Sequence, residues 1–198
     1  MAYDPSIHHR RSIRLKGFDY TQPGAYFVTI VAHRRLPIFG EITGGVVHLN
    51  ACGETCRAEW MRTATIRREI ALDEFVVMPN HFHAIVMIME CGNGLVGATG
   101  RDESTVLHGI VGATGRSPLR PDMPCGPANK SLASLIAGYK SAVTTRINKL
   151  RGTPGAPVWQ RNYHEHIIRN ADELSRIREY IRYNPMAWET DDEYPHQH

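Results

Sequence analysis

The chain is predicted to fold as an α+β domain on an antiparallel sheet. Apolar residues make up 42% of its 198 positions, enough for a real core. Segments rich in β-branched and aromatic residues follow one another with few helices between them, the pattern of an antiparallel rather than a parallel sheet. The length is long for one small domain and short for two, so one domain over residues 1–198 with an insertion at about 91–129 is expected.

The elements follow in order. Residues 25–32, after the turn-like Gln22-Pro23-Gly24, form the first strand. Residues 37–41 and 46–49 flank Thr43-Gly44-Gly45, a hairpin with a glycine turn. A helix occupies about residues 51–66, and strands at 70–78 and 82–89 are separated by Pro79-Asn80. From 91 to 129 the pattern gives way to Gly, Pro, Ser and Thr, and the octapeptide at 94–101 is nearly repeated at 109–116. Two copies are too few for a solenoid, and neither completes a P-loop, so a duplicated linker is the economical reading.

Residues 130–150 are helix-like, with Leu132, Leu135, Ile136, Val143, Ile147 and Leu150 on an inner stripe and Lys140, Arg146 and Lys149 outside. Pro154-Gly155-Ala156-Pro157 breaks the chain, and residues 158–169 read as extended. The last helix is well signalled: Asn170 is an N-cap, Asp172 and Glu173 sit in the first turn, and Pro185 marks the end. Leu174, Ile177 and Ile181 supply its buried stripe.

Charge and cysteine content exclude several classes. The net charge of +3 is small, but Arg10, Arg11, Arg14 and Lys16 cluster while Glu189, Asp191, Asp192 and Glu193 crowd the other end. That asymmetry permits a polyanionic partner, although a charge cluster is usually just a solvated face. Cys52, Cys56, Cys91 and Cys125 are irregularly spaced and lack a paired zinc pattern, so they are expected to be reduced. The longest apolar run, residues 84–89, is far short of the roughly 20 residues a membrane helix needs, and a cytoplasmic protein with no membrane association is expected.

The residues that suggest chemistry begin with Pro79-Asn80-His81-Phe82-His83. On a strand, period-two geometry sends His81 and His83 to one face and Phe82 to the other. Two imidazoles on one face fit either a metal site or ordinary packed histidines. Tyr180 and Asn184, four residues apart on the last helix, also share a face. They can serve one site, or Tyr180 can pack on the sheet while Asn184 caps the helix.

Three ordered motifs combine these pieces: Met78-Pro79-Asn80-His81-Phe82-His83, then Trp159-Gln160-Arg161-Asn162-Tyr163-His164-Glu165-His166-Ile167-Ile168-Arg169, then Glu179-Tyr180-Ile181-Arg182-Tyr183-Asn184-Pro185. Together they resemble the REP-associated tyrosine transposases, which belong to the HUH single-strand transposases with one catalytic tyrosine. The resemblance runs from about residue 24 to 185 and leaves out the duplicated linker and both termini.

The resemblance implies a ferredoxin-like or RRM-like antiparallel sheet backed by helices, the HUH nuclease fold, with His81 and His83 on a central strand facing the final helix. It implies that His81, His83 and Asn184 hold a divalent metal, Mg²⁺ or Mn²⁺, and that Tyr180 is the nucleophile. Tyr139 and Tyr183 are poorer candidates, because the residues four positions on are Val143 and Ala187 rather than amides.

The implied activity is metal-dependent cleavage and rejoining of single-stranded DNA at palindromic-repeat hairpins, through a 5′-phosphotyrosine intermediate. Trp159, Arg161, Tyr163, His166, Arg169, Arg14, Lys140 and Arg146 are the expected DNA contacts, with Arg10 and Arg11 beside Arg14; Trp159 and Tyr163 fit base stacking or core packing equally. The partner expected is single-stranded or hairpin DNA, with monomer and homodimer both open and the monomer slightly favoured. Two other readings compete: a hairpin-binding module without catalysis, and a metal-dependent nuclease that uses water.

Overall fold

The computed structural model describes residues 22–89, 131–191 and 193–194. The linker, the N-terminal basic cluster with Arg10, Arg11 and Arg14, and Cys91 and Cys125 lie outside the described residues.

Four strands form the main sheet: β1 (Gly24–Val31), β4 (Ile70–Val77), β5 (His81–Ile88) and β6 (His164–Ile168). Their order is β4-β5-β1-β6, with every neighbouring pair antiparallel. A separate ribbon of β2 (Gly40–Thr43) and β3 (Val46–Leu49) leads into helix α1 (Ala51–Ile66). Helix α2 (Leu132–Arg151) connects β5 to β6, and α3 (Ala171–Tyr183) follows β6. Without the ribbon and α3, the order βαββαβ is the ferredoxin-like arrangement, so the α+β expectation holds.

The two sheet faces have different work. Tyr26, Val28 and Ile30 of β1 and Phe82, Ala84 and Val86 of β5 join Trp60 of α1 and Leu135, Tyr139 and Val143 of α2 in one apolar core. Trp60 meets Phe82 at 4.9 Å and Tyr139 at 5.1 Å between ring centres. The alternate residues face α3, where Ile85 and Ile168 bury Ile181, with Leu174 and Ile177 packed alongside. Buried on both faces, β5 reads as an almost unbroken apolar run apart from its two histidines.

Local chemistry explains the helix starts. The Asn50 side chain accepts from the N–H groups of Cys52 and Gly53 and donates to Ile38 O, fixing the start of α1. Gly53 lets α1 approach closely, because a Cβ there would collide with the Phe39 carbonyl. Asn170 caps α3 by accepting from Glu173 N at 2.8 Å.

The sequence expectations need three adjustments. The strand expected at 37–41 begins only at Gly40, because Pro37 has no N–H and Phe39 pairs with Pro79 O instead. Of the extended stretch expected at 158–169, Trp159 makes an isolated bridge to Ala32 and only 164–168 is strand. Between them the carbonyls of Gln160, Arg161 and Asn162 turn toward Lys140 Nζ, at 2.6, 3.2 and 3.3 Å, and leave the ladder. Leu150, expected inside, is exposed at the end of α2.

A register shift on β4 between Leu72 and Phe75 positions α3. Adjacent strand residues normally point to opposite faces, but the irregularity lets both Asp73 and Glu74 reach α3. Arg178 donates to Asp73 at 3.0 and 2.6 Å, and Arg182 donates to Glu74 at 3.1 and 2.6 Å. Two arginines four residues apart, gripping two adjacent carboxylates, fix the rotation of α3 about its axis.

Candidate active site

His81 and His83 lie on the α3 face of β5 while Phe82 fills the opposite core, as the period of the strand requires. Both rings are buried. Their centres are 4.4 Å apart, and both Nδ1 atoms have hydrogen-bond partners. His83 Nδ1 pairs with Thr29 Oγ1 at 2.8 Å, across from it on β1. His81 Nδ1 pairs with Asn80 Oδ1, also at 2.8 Å.

The final helix supplies the other half. Tyr180 places its phenolic oxygen 3.3 Å from His83 Nε2, and its ring centre is 5.2 Å from that of His83. Phe27 supports both, stacking on His83 at 5.4 Å and meeting Tyr180 edge-on at 6.0 Å. Tyr180 remains 46% exposed. Asn184 ends α3 one turn further on and is buried beneath it.

One member of the site was missed in the sequence. Asp191, in the acidic stretch after α3, is buried and forms with His81 and His83 a group whose ligand atoms all lie within 4.8 Å of one another. Its Oδ2 accepts from Asn184 Nδ2 at 2.7 Å and lies 3.5 Å from the Tyr180 hydroxyl. Asp191 belongs to no amphipathic pattern; only its acidic type, seven residues beyond Asn184, hinted at a role. His164 is another omission: it pairs with Thr29 across β1 and β6 and lowers the proton affinity of His83 through its charge.

The electrostatics favour neutral imidazoles with free lone pairs. Burial pulls His81 down from 6.5 to about 4, a shift that the nearby Asp191 carboxylate and the Asn184 side chain oppose. Burial also pulls His83 well below 6.5, aided by the charges of His81 and His164. Neutral histidine is the metal-binding form.

Within the site, two buried side-chain atoms make no hydrogen bond: His81 Nε2 and Asn184 Oδ1. Leaving such atoms unpaired costs about 1 to 3 kcal/mol each. A cation between the two imidazoles, the amide oxygen and the Asp191 carboxylate would satisfy them, so the residues present fit a divalent ion. Mixed nitrogen and oxygen donors are the set that divalent first-row metals and Mg²⁺ accept.

The other expected DNA contacts are distributed differently. Trp159 is buried between Phe39 and Tyr139, with ring centres 4.9 and 6.1 Å away, and so takes the packing alternative. Tyr163 is half-buried against the same core. Lys140 is held by the three carbonyls already named, and Arg146 pairs with Glu59 at 2.8 Å. His166 pairs with Glu173 at 2.7 Å, while Arg161 and Arg169 are exposed. Among the described residues, no helix is long and apolar enough to cross a membrane.

No family model matches the chain. Among solved structures, a REP-associated tyrosine transposase bound to a REP hairpin is 15% identical, with a TM-score of 0.49 over 88% of this chain and 73% of that one. A candidate transposase of Deinococcus radiodurans R1 is 11% identical, with a TM-score of 0.43 over 86% and 96%. An uncharacterized protein of Haemophilus influenzae strain Rd is 34% identical over 192 residues, 97% of each chain. At that identity over nearly its full length, the chain belongs to the same family as the Haemophilus influenzae protein.

Proposed function

We propose that the protein is a metal-dependent single-stranded DNA endonuclease and strand transferase that acts on palindromic-repeat hairpins through Tyr180. The observation that carries this reading is the approach of the Tyr180 oxygen to His83 Nε2, 3.3 Å, across 97 residues of sequence. The motifs that resemble REP-associated tyrosine transposases support the substrate and the polarity of cleavage.

A phosphodiester anion repels nucleophiles, and a bound Mg²⁺ or Mn²⁺ would supply Lewis acidity at a non-bridging oxygen. His81, His83, Asn184 and Asp191 would hold that ion. Tyr180 attacks phosphorus in line, forming the Tyr180 Oη–P bond as the P–O3′ bond breaks. The phenolic proton passes to Asp191, whose Oδ2 is 3.5 Å away, and the leaving 3′ oxygen takes a proton from water. The products are a 5′-phosphotyrosyl enzyme and a free 3′-OH. Because the new bond is itself a phosphodiester, attack by a second 3′-OH reverses the step and joins a new strand without ATP. Arg161 and Arg169 are exposed near the start and end of the second motif and would contact phosphates, weakening binding as salt rises.

The test is a denaturing gel of protein incubated with Mn²⁺ and labelled hairpins carrying single-stranded flanks. The wild type should give a covalent protein–DNA band that Tyr180→Phe abolishes. Free 5′-phosphate with no adduct would instead support water as nucleophile, and binding without cleavage would support a recognition module.

A further inference from the structure

The geometry points to Asn80 as a positioning residue that selects the ligand-ready tautomer of His81 and ties the segment carrying Asp191 to it. This inference rests on the metal-dependent reading above. Asn80 is fully buried at the turn between β4 and β5, and every polar atom of its side chain is used. Nδ2 donates to two backbone carbonyls, Glu193 O at 2.6 Å and Arg35 O at 3.2 Å. Oδ1 faces His81 Nδ1 at 2.8 Å.

These contacts leave one consistent hydrogen arrangement. Carbonyls only accept, so the amide cannot flip without setting its oxygen against two others. Oδ1 therefore faces His81, and as an acceptor it requires a hydrogen on Nδ1. In a neutral ring the lone pair must then sit on Nε2, which is the buried atom without a partner. A single amide thus presents His81 Nε2 to the site.

The same side chain joins two segments distant in sequence. Arg34 and Arg35 follow β1 in left-handed backbone, φ 57° and 56°, which costs energy for residues other than glycine. Asn80 holds the Arg35 carbonyl, and the Arg35 side chain pairs with Glu193 at 3.0 Å. Asn80 also holds the Glu193 carbonyl, two residues beyond Asp191, whose Oδ1 accepts from Glu193 N at 2.7 Å. Ligand tautomer and the seating of Asp191 are therefore set through one residue.

Two variants separate these roles. Asn80→Ala removes the acceptor and both donor bonds, whereas Asn80→Asp keeps an acceptor for His81 and loses the donors. Two-bond ¹H–¹⁵N NMR of the imidazoles in the full chain with EDTA reads the tautomer without metal. Wild type and Asn80→Asp should show His81 protonated on Nδ1, and Asn80→Ala should show a shift toward Nε2–H. Electron paramagnetic resonance of free Mn²⁺ should show the larger loss of affinity in Asn80→Ala, about 10- to 100-fold, and a smaller loss in Asn80→Asp, which keeps the tautomer and loses only the hold on the Asp191 segment. Amide exchange at residues 188–191 should quicken in both variants.

A wild-type His81 protonated on Nε2 would overturn the inference. So would an Asn80→Ala protein with unchanged tautomer and Mn²⁺ affinity, or equal losses of affinity in the two variants. A wild type with Nδ1–H on His81 but no Mn²⁺ binding would sink the metal-dependent reading while upholding the hold of Asn80 on the ring.

Discussion

The Asn184 amide donates to Asp191 Oδ2 at 2.7 Å, and that bond turns its oxygen away from Asp191 to lie buried without a partner. An amide whose donor side is occupied and whose acceptor side is free is poised as an oxygen ligand. The relationship also explains why Asn184 rather than a carboxylate ends α3: a second carboxylate facing Asp191 would repel it.

Asp191→Ala should therefore weaken Mn²⁺ binding for two reasons, loss of a carboxylate and release of the Asn184 side chain. A loss of about 10- to 100-fold is expected, measured by calorimetric titration. Asn184→Ala should lose a comparable amount, and the double variant should lose less than the sum, because the residues act as one unit. Fully additive losses would show that they act independently.

Stability of the metal-free chain should depend on pH through the buried histidines. His81 is at about 4 when folded and near 6.5 when unfolded, and His83 is lowered in the same direction. Below 6.5 the unfolded chain binds more protons, so stability present above 6.5 is lost as pH falls toward 4. In EDTA the melting temperature should drop by at least about 3 °C between pH 7.5 and 5, the equivalent of roughly 1 kcal/mol for a chain of this size. His81→Gln should flatten that slope; an unchanged slope would assign it to other groups.

Arg178→Ala should loosen α3 from β4. The Arg178–Asp73 contact is part-buried, and its removal leaves Asp73 short of a partner, so a loss of about 1 to 3 kcal/mol in urea unfolding is expected. Covalent adduct formation by Tyr180 should fall more than stability predicts, since the helix sets the aim of the phenol. Adduct yield that simply tracks the folded fraction would argue against an orienting role.

Phe82→Ala should cost about 3 to 5 kcal/mol, because its ring is fully buried against Trp60 and Tyr139. The histidines point the other way, so at temperatures where the variant remains folded its Mn²⁺ affinity should change little. A large loss of affinity in folded Phe82→Ala would show that the two faces of β5 are coupled.

The sequence by itself determined the local elements and half of the site. Period-two alternation assigned His81 and His83 to one face of a strand, and Asn170 and Pro185 bounded α3, because these signals depend only on backbone geometry within a few residues. The i, i+4 spacing of Tyr180 and Asn184 likewise follows from helix geometry alone. Tertiary structure decided the rest. Asp191 enters the site because Asn184 holds its carboxylate while Asn80 and Arg35 hold Glu193, through contacts that carry no periodic signature. Lys140 turns to the carbonyls of residues 160–162, and Trp159 turns inward, because burial and hydrogen-bond demand at a chain reversal outweigh what residue type alone suggests. Whether the two imidazoles meet a phenol depended on the rotation of α3, which Asp73 and Glu74 set through a strand irregularity that short-range patterns do not reveal.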